Sequence, residues 1–222
     1  MATRPAFIPL RSKTKFVREI QIEFKWFAGM SVSQKQKSIA SLHEATRARL
    51  GVSNILEISS KSSEPLGVSL SAFNLLLPLE TQRVSVEVAF QAGKRFERGG
   101  PFLDLLCGSS REAKGDPRLK ESGRLIGFVL SGEAWPLEPR TAFYDWLYLN
   151  ALDANPDLSE ALAHYEAFTD IEFNPAKSLN CQAHSAALYV SLRREGLLEE
   201  ALSGKEAFLK VLGGGATKSS QV

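Results

Sequence analysis

Three polar residues, Glu87, Gln91 and Lys94, have residue types and a spacing that could support chemistry. They are separated by four and three positions, so a helix through this segment would present all of them on one face. Ser85 is a suitable N-cap, which places Glu87 in the first turn, where the helix dipole favours an ionised carboxylate. Glu87 is therefore suited to act as a base or to stabilise a cation, and Lys94 could hold a phosphate or pair with Glu87. An amphipathic helix with a solvated Glu–Lys stripe would show the same spacing.

Two further candidates lie on segments that we expect to be loops. Residues 166–179 form a loop that is long for a compact domain, and such loops often carry functional groups. Asp170 on this loop is a second candidate carboxylate, although it could also cap a turn. The Ser-rich segment 59–63 could cradle a diphosphate through its backbone N–H groups and Lys61. A plain surface loop would explain that segment equally well.

The elements that position these residues begin with a strand and a helix near the N-terminus. Residues 15–27 alternate between apolar and polar side chains, most clearly over 20–26, which predicts a strand with one buried face. Residues 31–34 have capping-box spacing and predict a helix that continues to about Leu50. Gly51 is the expected end of this helix.

The rest of the chain is predicted to be mainly helical. Further elements are expected as a buried strand at 54–59, and as helices over Ser85–Glu97, after Ser109, over 139–152, from Asn155 to about Tyr165, near 182–195 and near 197–212. Residues 213–222 are predicted to be a disordered tail. The pattern predicts a helix-rich α+β fold with a few short strands near the front.

The charges are distributed unevenly along a chain whose formal net charge is +2. Residues 1–50 contain ten Lys and Arg against three Asp and Glu, a balance of +7. The remainder contains 17 basic and 22 acidic residues, a balance of −5. A basic segment on a mildly acidic body favours a polyanionic partner, although a solvated basic face would give the same composition.

Several classes of protein are disfavoured by composition. The two cysteines, Cys107 and Cys181, form no CxxC pair, and the three histidines show no metal-ligand spacing, so we expect neither a disulfide framework nor a metal site. No apolar run approaches the ~20 residues that span a bilayer, and the N-terminus lacks the apolar region of a signal peptide. We expect a cytoplasmic monomer that needs no cofactor and contacts no membrane.

The segment SVEVAFQAGK, residues 85–94, resembles the helix motif of the NADAR family. In that motif a glutamate is followed seven positions later by a lysine, with an aromatic residue and a glutamine between them. Gly67 and the segment 70–73 are similar to the family's loop after its first strand. Ala72 stands where the family usually has asparagine, and Asn74 lies just beyond.

Downstream segments extend this resemblance to roughly residues 54–195. Trp135 precedes the predicted core helix at about the family's spacing, and segment 170–173 resembles the family's Asp-x-x-Trp with phenylalanine in the last position. Asn180 and the helix that follows resemble the family's closing asparagine and helix. The first fifty residues look like the extension of a subgroup that serves as antitoxin to DarT-type DNA ADP-ribosyltransferases.

The resemblance implies a division of the chain and a set of site residues. Residues 1–53 would be a basic extension, a strand plus a helix, packed on a single NADAR-like domain at 54–212. The implied catalytic residues are Glu87, Asp170 and Lys94. The implied ligand-binding residues, with Phe173 and Trp135 as possible stacking partners of a base, are Lys61, Ser71, Phe73, Asn74, Gln91, Trp135, Phe173 and Asn180.

The activity implied by the resemblance is that of an N-glycosidase, which cuts the bond between ADP-ribose, or a related ribosyl phosphate, and a nitrogen base. The leading hypothesis is a hydrolase that removes ADP-ribose from guanine in DNA and counters a DarT-type toxin. Its partners would be ADP-ribosylated DNA, ADP-ribose and that toxin. Two alternatives remain open. One is an N-glycosidase for phosphorylated ribosylamino-pyrimidines of riboflavin synthesis, and the other is a module that binds ADP-ribose or a toxin without chemistry.

Overall fold

The fold is taken from a computed structural model that describes residues 1–80, 82–176 and 178–213. In chain order the elements are β1 (Ala2–Pro9), β2 (Val17–Phe24), α1 (Val32–Leu50), β3 (Ile55–Glu57), α2 (Pro65–Ser69), β4 (Leu76–Pro78), β5 (Arg83–Ser85), α3 (Val86–Ala92), β6 (Lys94–Phe96), α4 (Ser110–Gly115), α5 (Arg118–Glu121), β7 (Leu125–Leu130), β8 (Glu133–Trp135), α6 (Ala142–Asp153), α7 (Pro156–Ala161), β9 (Ala167–Thr169), α8 (Gln182–Arg194), α9 (Leu198–Leu202) and α10 (Lys205–Gly213), with 3₁₀ turns at Leu103–Cys107 and Leu162–His164. The helix-rich α+β class predicted from the sequence is confirmed.

The described residues group into two compact units. Unit 1 is formed by the described parts of Met1–Ser71 and Asp157–Val222, and unit 2 is formed by those of Ala72–Pro156. The chain therefore leaves unit 1 once and returns to it once. Each unit has its own strands and its own share of the candidate residues.

Unit 1 is built on a four-stranded sheet with the order β2-β1-β9-β3. Strand β1 is antiparallel to both β2 and β9, and β3 is parallel to β9. The N-terminal segment thus supplies two of the four strands. The prediction that 166–179 is entirely loop was wrong, because residues 167–169 form β9 inside the sheet. A strand of three residues is too short to show an alternating pattern in the sequence.

The first helix confirms the signals read from the sequence. Ser31 is the N-cap of α1 and accepts the N–H of Gln34, and Gly51 ends the helix in the left-handed conformation with φ 67°. Ile39 and Leu42 on α1 are buried in one cluster with residues of β2. Full burial of an aliphatic side chain contributes about 1.5–3 kcal/mol. This packing therefore fixes α1 on the sheet.

Unit 2 has a hairpin of β4 and β5 and a three-stranded sheet with the order β6-β7-β8. The rings of Phe90 on α3, Phe128 on β7 and Phe143 on α6 lie against one another, with centroids 4.6 to 6.2 Å apart. These aromatic contacts join the helices of unit 2 to its sheet. The helix predicted over 139–152 is present as α6, which begins at Ala142 rather than at Pro139.

Helix α3 is shorter than predicted, which corrects the expected range 85–97. It ends at Ala92, and the next residues form β6. The backbone after Ala92 hydrogen-bonds to β7 instead of continuing the helix. The Val129 N–H donates to the Gly93 carbonyl over 2.7 Å, and Lys94 is paired with Phe128. Strand pairing therefore replaces the last helical turns, and Lys94 does not lie on the helix.

The C-terminal elements follow the predicted order with one interruption. Helix α8 agrees with the expected helix near 182–195, whereas the helix expected near 197–212 is divided into α9 and α10 around Ser203 and Gly204. In the predicted disordered tail, Gly213 still belongs to α10, and residues 214–222 lie outside the described residues.

In the part of the chain that the structure describes, none of the helices has both the length and the apolar character that crossing a bilayer requires. In the same residues, no group of three or more His, Cys, Asp or Glu side chains could hold a metal ion.

A close approach at Gly67 generates the first prediction. A Cβ atom at this position would lie 2.0 Å from the Glu57 carbonyl oxygen and 2.5 Å from the Ser62 hydroxyl. Gly67→Ala must therefore displace the backbone of β3, and we expect the free energy of unfolding to fall by ~1–3 kcal/mol or more. The measurement is urea denaturation followed by circular dichroism.

Gly204→Ala is the matched control within unit 1, because a Cβ there would meet nothing within 4 Å. We expect its free energy of unfolding to change by no more than about 0.5 kcal/mol. Equal stability of the two variants would contradict the close approach at Gly67.

Candidate functional site

Glu87 occupies the first turn of α3, as predicted. Its N-cap is Ser85, whose Oγ accepts the Val88 N–H over 3.2 Å. The Glu87 N–H donates to the Ala72 carbonyl over 2.9 Å, which ties the start of the helix to the preceding loop. Glu87 is only 6% exposed. A carboxylate at such a depth needs hydrogen bonds or a counter-charge.

The Glu87 carboxylate has both kinds of partner within unit 2. Gln91 Nε2 donates to Glu87 Oε1 over 2.8 Å, and Lys114 Nζ lies 3.7 Å from the same oxygen. The other end of the Gln91 amide differs, because its Oε1 is buried and has no hydrogen-bond partner among the described residues. Buried acceptors are nearly always satisfied in native proteins, so this oxygen could accept an N–H or O–H from a ligand.

Lys94 lies on β6 and not on the helix face of Glu87, but its charge interacts with those of Glu87 and Lys114. Its Nζ lies 4.7 Å from the centroid of the Phe90 ring. Burial lowers the pKa of Lys94 to about 8, the Glu87 charge acts in the opposite direction, and the Lys114 charge lowers this pKa further. Lys94 therefore changes charge close to neutral pH, within reach of the field of Glu87.

Lys114 was missed in the sequence analysis. It lies near the end of α4, whose capping box joins Ser109 and Glu112 as predicted. Its Nζ lies 4.9 Å from the centroid of the Phe73 ring. The hydroxyl of Ser110 donates to the Phe73 carbonyl over 3.0 Å and lies 2.7 Å from the Ser85 hydroxyl, so α4 is anchored at the N-cap of α3. No spacing in the sequence relates Lys114 to Glu87.

The remaining candidates of unit 2 lie in different surroundings. Phe73 and Asn74 are exposed. Trp135 is 4% exposed, and its ring lies 5.3 Å from that of Trp146 and 5.7 Å from that of Phe143. These three aromatic residues line a cavity of about 540 Å³ within unit 2. That volume is in the range of small-molecule pockets.

Asp170 directly follows β9 in unit 1 and is buried. Its Oδ1 accepts the N–H groups of Glu172 over 3.0 Å and Phe173 over 3.1 Å, so the residue does cap a turn. Burial raises the pKa of Asp170 to about 8, the Glu57 charge raises it further, and the hydrogen bonds to Asp170, one of them from Gln182, partly oppose the shift. The Asp170 carboxyl therefore keeps its proton to a higher pH than an ordinary aspartate does.

Glu57, the residue that contributes this charge, was also missed in the sequence analysis. It ends β3, is 2% exposed, and accepts the Thr169 hydroxyl over 2.7 Å and the Ile171 N–H over 2.8 Å. Burial raises the pKa of Glu57, and these hydrogen bonds oppose the shift. A single glutamate at the end of an apolar strand gives no sequence pattern that would mark it.

The other candidates of unit 1 differ in their burial and in their partners. Phe173 is buried, with its ring 6.4 Å from that of Phe7. Asn180 Oδ1 is buried and has no hydrogen-bond partner among the described residues. Lys61 is half-buried on its loop and donates its backbone N–H to the Ser59 hydroxyl. Ser71 is buried at the end of unit 1.

The protein has an α+β fold with buried carboxyl groups in each of its two units. Comparison with protein families identifies the chain more closely, because the family described as DarT1-associated NADAR antitoxin matches residues 2–222. The chain belongs to this antitoxin family, and the resemblance seen in the sequence is confirmed. The match includes the first fifty residues, and membership implies a DarT-type toxin as partner. A search of curated proteins finds no match.

The linkage of Lys94 to its charged neighbours generates the second prediction. Glu87→Gln removes the charge that raises the pKa of Lys94, so we expect this pKa to fall below its value of about 8. Lys114→Met removes a charge that lowers it, so we expect the pKa of Lys94 to rise. The measurement is an NMR titration after reductive ¹³C-methylation. Shifts of the same sign in both variants would contradict this electrostatic arrangement.

Proposed function

We propose that this protein is an N-glycosidase that removes ADP-ribose from guanine bases of DNA and so reverses the modification made by a DarT-type toxin. Membership of the antitoxin family supports the biological role. The observation that supports the chemistry is the buried Glu87 carboxylate, which is contacted by Gln91 and Lys114. The Glu87 charge also acts on Lys94, whose pKa is about 8.

Hydrolysis of an N-glycosidic bond makes demands that this cluster can meet. The bond from the sugar C1 to the guanine nitrogen breaks with its electron pair going to the nitrogen, which takes up a proton. Water adds its oxygen to C1 and releases a proton. The sugar is cation-like in the transition state, as in O-glycoside hydrolysis, so a nearby carboxylate stabilises it. We propose that Glu87 provides this negative charge and accepts the proton from water.

Lys94 and Asp170 are the other groups that we propose for the reaction, each because of its own surroundings. At neutral pH, below its pKa of about 8, Lys94 is mostly charged, which suits contact with the diphosphate of ADP-ribose. Asp170 is the second carboxyl that we propose for the reaction. Its raised pKa leaves it protonated at neutral pH, and a protonated carboxyl suits transfer of a proton to the departing base.

A DNA substrate is favoured by the charge of the N-terminal segment. Residues 1–50 have a balance of +7, and positive charge attracts the phosphate backbone independently of sequence. The modified guanine must be presented in a single strand or flipped out of a duplex, because base stacking hides it. Single-stranded DNA is therefore the substrate form that we expect to be processed fastest.

The third prediction tests this activity directly. The wild type and Glu87→Gln are incubated with a guanine-ADP-ribosylated single-stranded oligonucleotide, and the loss of the ADP-ribose mass is followed by mass spectrometry. We expect the wild type to restore the unmodified oligonucleotide and Glu87→Gln to be slower by about 10²–10⁴-fold, the usual contribution of a positioned acid–base group.

Glu121→Gln is the matched control, because it makes the same change at an exposed glutamate of unit 2. We expect it to retain wild-type activity. An inert wild type, under conditions in which another hydrolase removes the group, would overturn the proposal. The phosphorylated ribosylamino-pyrimidines would then be tested as substrates. Full activity of Glu87→Gln would remove Glu87 from the mechanism, and protection of cells without any hydrolysis would indicate a binding module.

A further inference from the structure

Glu57 binds the two residues that flank Asp170 in the chain. Its Oε2 accepts the hydroxyl of Thr169, and its Oε1 accepts the backbone N–H of Ile171. The register of the sheet explains this, because Glu57 is paired with Thr169 in the parallel ladder of β3 and β9. One buried carboxyl therefore fixes the backbone on both sides of another buried carboxyl.

The hydrogen-bonded chain continues to the first helix. His43 on α1 is buried, and its Nε2 lies 2.9 Å from the Thr169 hydroxyl oxygen. Thr169 has one hydroxyl proton and donates it to Glu57, so the His43 ring must donate its own Nε2 proton to Thr169. Burial and the charge of Arg47 lower the pKa of His43 to about 4, which keeps the ring neutral. The hydrogen bonds therefore run in one direction: His43 donates to Thr169, and Thr169 donates to Glu57.

The hydrogen bonds distinguish the two carboxyls. The donors of Glu57 occupy both of its oxygens at 2.7 and 2.8 Å, which favours the charged carboxylate. The two backbone donors of Asp170 share Oδ1 at the longer distances of 3.0 and 3.1 Å, and Gln182 is a further hydrogen-bond partner, so the charged form is stabilised less strongly at Asp170 than at Glu57. Two neighbouring buried carboxyls do not both ionise readily, so Asp170 is the one that stays protonated.

Two other titratable groups near this turn have defined surroundings among the described residues. The Cys181 thiol is buried, and burial raises its pKa well above the ordinary value, so it is neutral. Lys35 on α1 is paired with Glu172 of the turn over 3.0 Å. The ring of His184, on α8, lies 5.7 Å from that of Phe7.

We propose that Glu57 is a positioning residue, which holds the Asp170 turn through Thr169 and Ile171 and keeps the Asp170 carboxyl protonated by its own negative charge. His43 contributes by donating to the Thr169 hydroxyl oxygen, which leaves the Thr169 proton directed at Glu57. The catalytic meaning of this device rests on the proposed function, whereas the protonation state of Asp170 does not. The basic N-terminal segment thereby has a structural role in unit 1, through α1, besides any contact with DNA.

The fourth prediction tests this device by ¹³C NMR titration of the aspartate carboxyls in the folded protein, with Asp170→Asn used for assignment. We expect Asp170 in the wild type to titrate well above the ordinary range of an aspartate. In Glu57→Gln the negative charge is lost, so we expect Asp170 to titrate at a pH lower by about one unit or more. Glu172→Gln is the control, since it removes an exposed charge from the same turn, and we expect a smaller change.

Two results would overturn the proposal. One is an Asp170 that already ionises below about pH 5 in the folded wild type, which requires no variant to be stable. The other is a folded Glu57→Gln protein in which Asp170 titrates as in the wild type. Thr169→Ser retains the hydroxyl and is expected to leave the titration unchanged, whatever the stability of Glu57→Gln.

The pH dependence of the reaction rate distinguishes the positioning role of Glu57 from the proposed function of the protein. If the protein hydrolyses ADP-ribosylated DNA, the basic limb of its pH–rate profile should move to lower pH in Glu57→Gln, because Asp170 then loses its proton earlier. A merely structural role of Glu57 would lower the rate without moving that limb. If the titrations behave as expected and no hydrolysis occurs, the positioning role stands and the proposed function fails.

Discussion

The pairing of β9 with both β1 and β3 is the constraint on which unit 1 depends. Three residues, Ala167–Thr169, join the N-terminal hairpin to the strand that ends at Glu57. The residues brought together are more than a hundred positions apart in the chain. The turn that carries Asp170 begins immediately after this strand, so its position follows from the register of the sheet. A shift of one residue would turn Thr169 away from Glu57.

Burial of acidic groups is the common physical feature of the two units. A buried charge is expensive unless hydrogen-bond donors or a counter-charge lie beside it. Unit 2 keeps the Glu87 carboxylate with an amide donor and a cation. Unit 1 surrounds Glu57 with donors, and burial together with the Glu57 charge raises the pKa of Asp170. Each unit therefore provides its buried carboxyl groups with partners of its own.

The parts of the fold that were predicted correctly are those with strong local signals. The capping residue Ser31 and the stop at Gly51 defined α1, and Ser85 defined the start of α3, because caps act over only a few residues. The end of α3 was predicted wrongly. Residues after Ala92 have helical character, but the backbone around Gly93 hydrogen-bonds to β7, and that long-range pairing prevails over local preference.

The sequence by itself determined the family and the candidate Glu87, because the spacing of glutamate, glutamine and lysine is a local pattern. It also determined that Asp170 could cap a turn, which short polar side chains do within a few residues. Only the tertiary structure decided that Lys114 faces Glu87 and that Glu57 lies beside Asp170. These contacts join distant segments through burial and sheet register. The protonation states follow from the same burial, since desolvation depends on what covers a group and no sequence spacing encodes it.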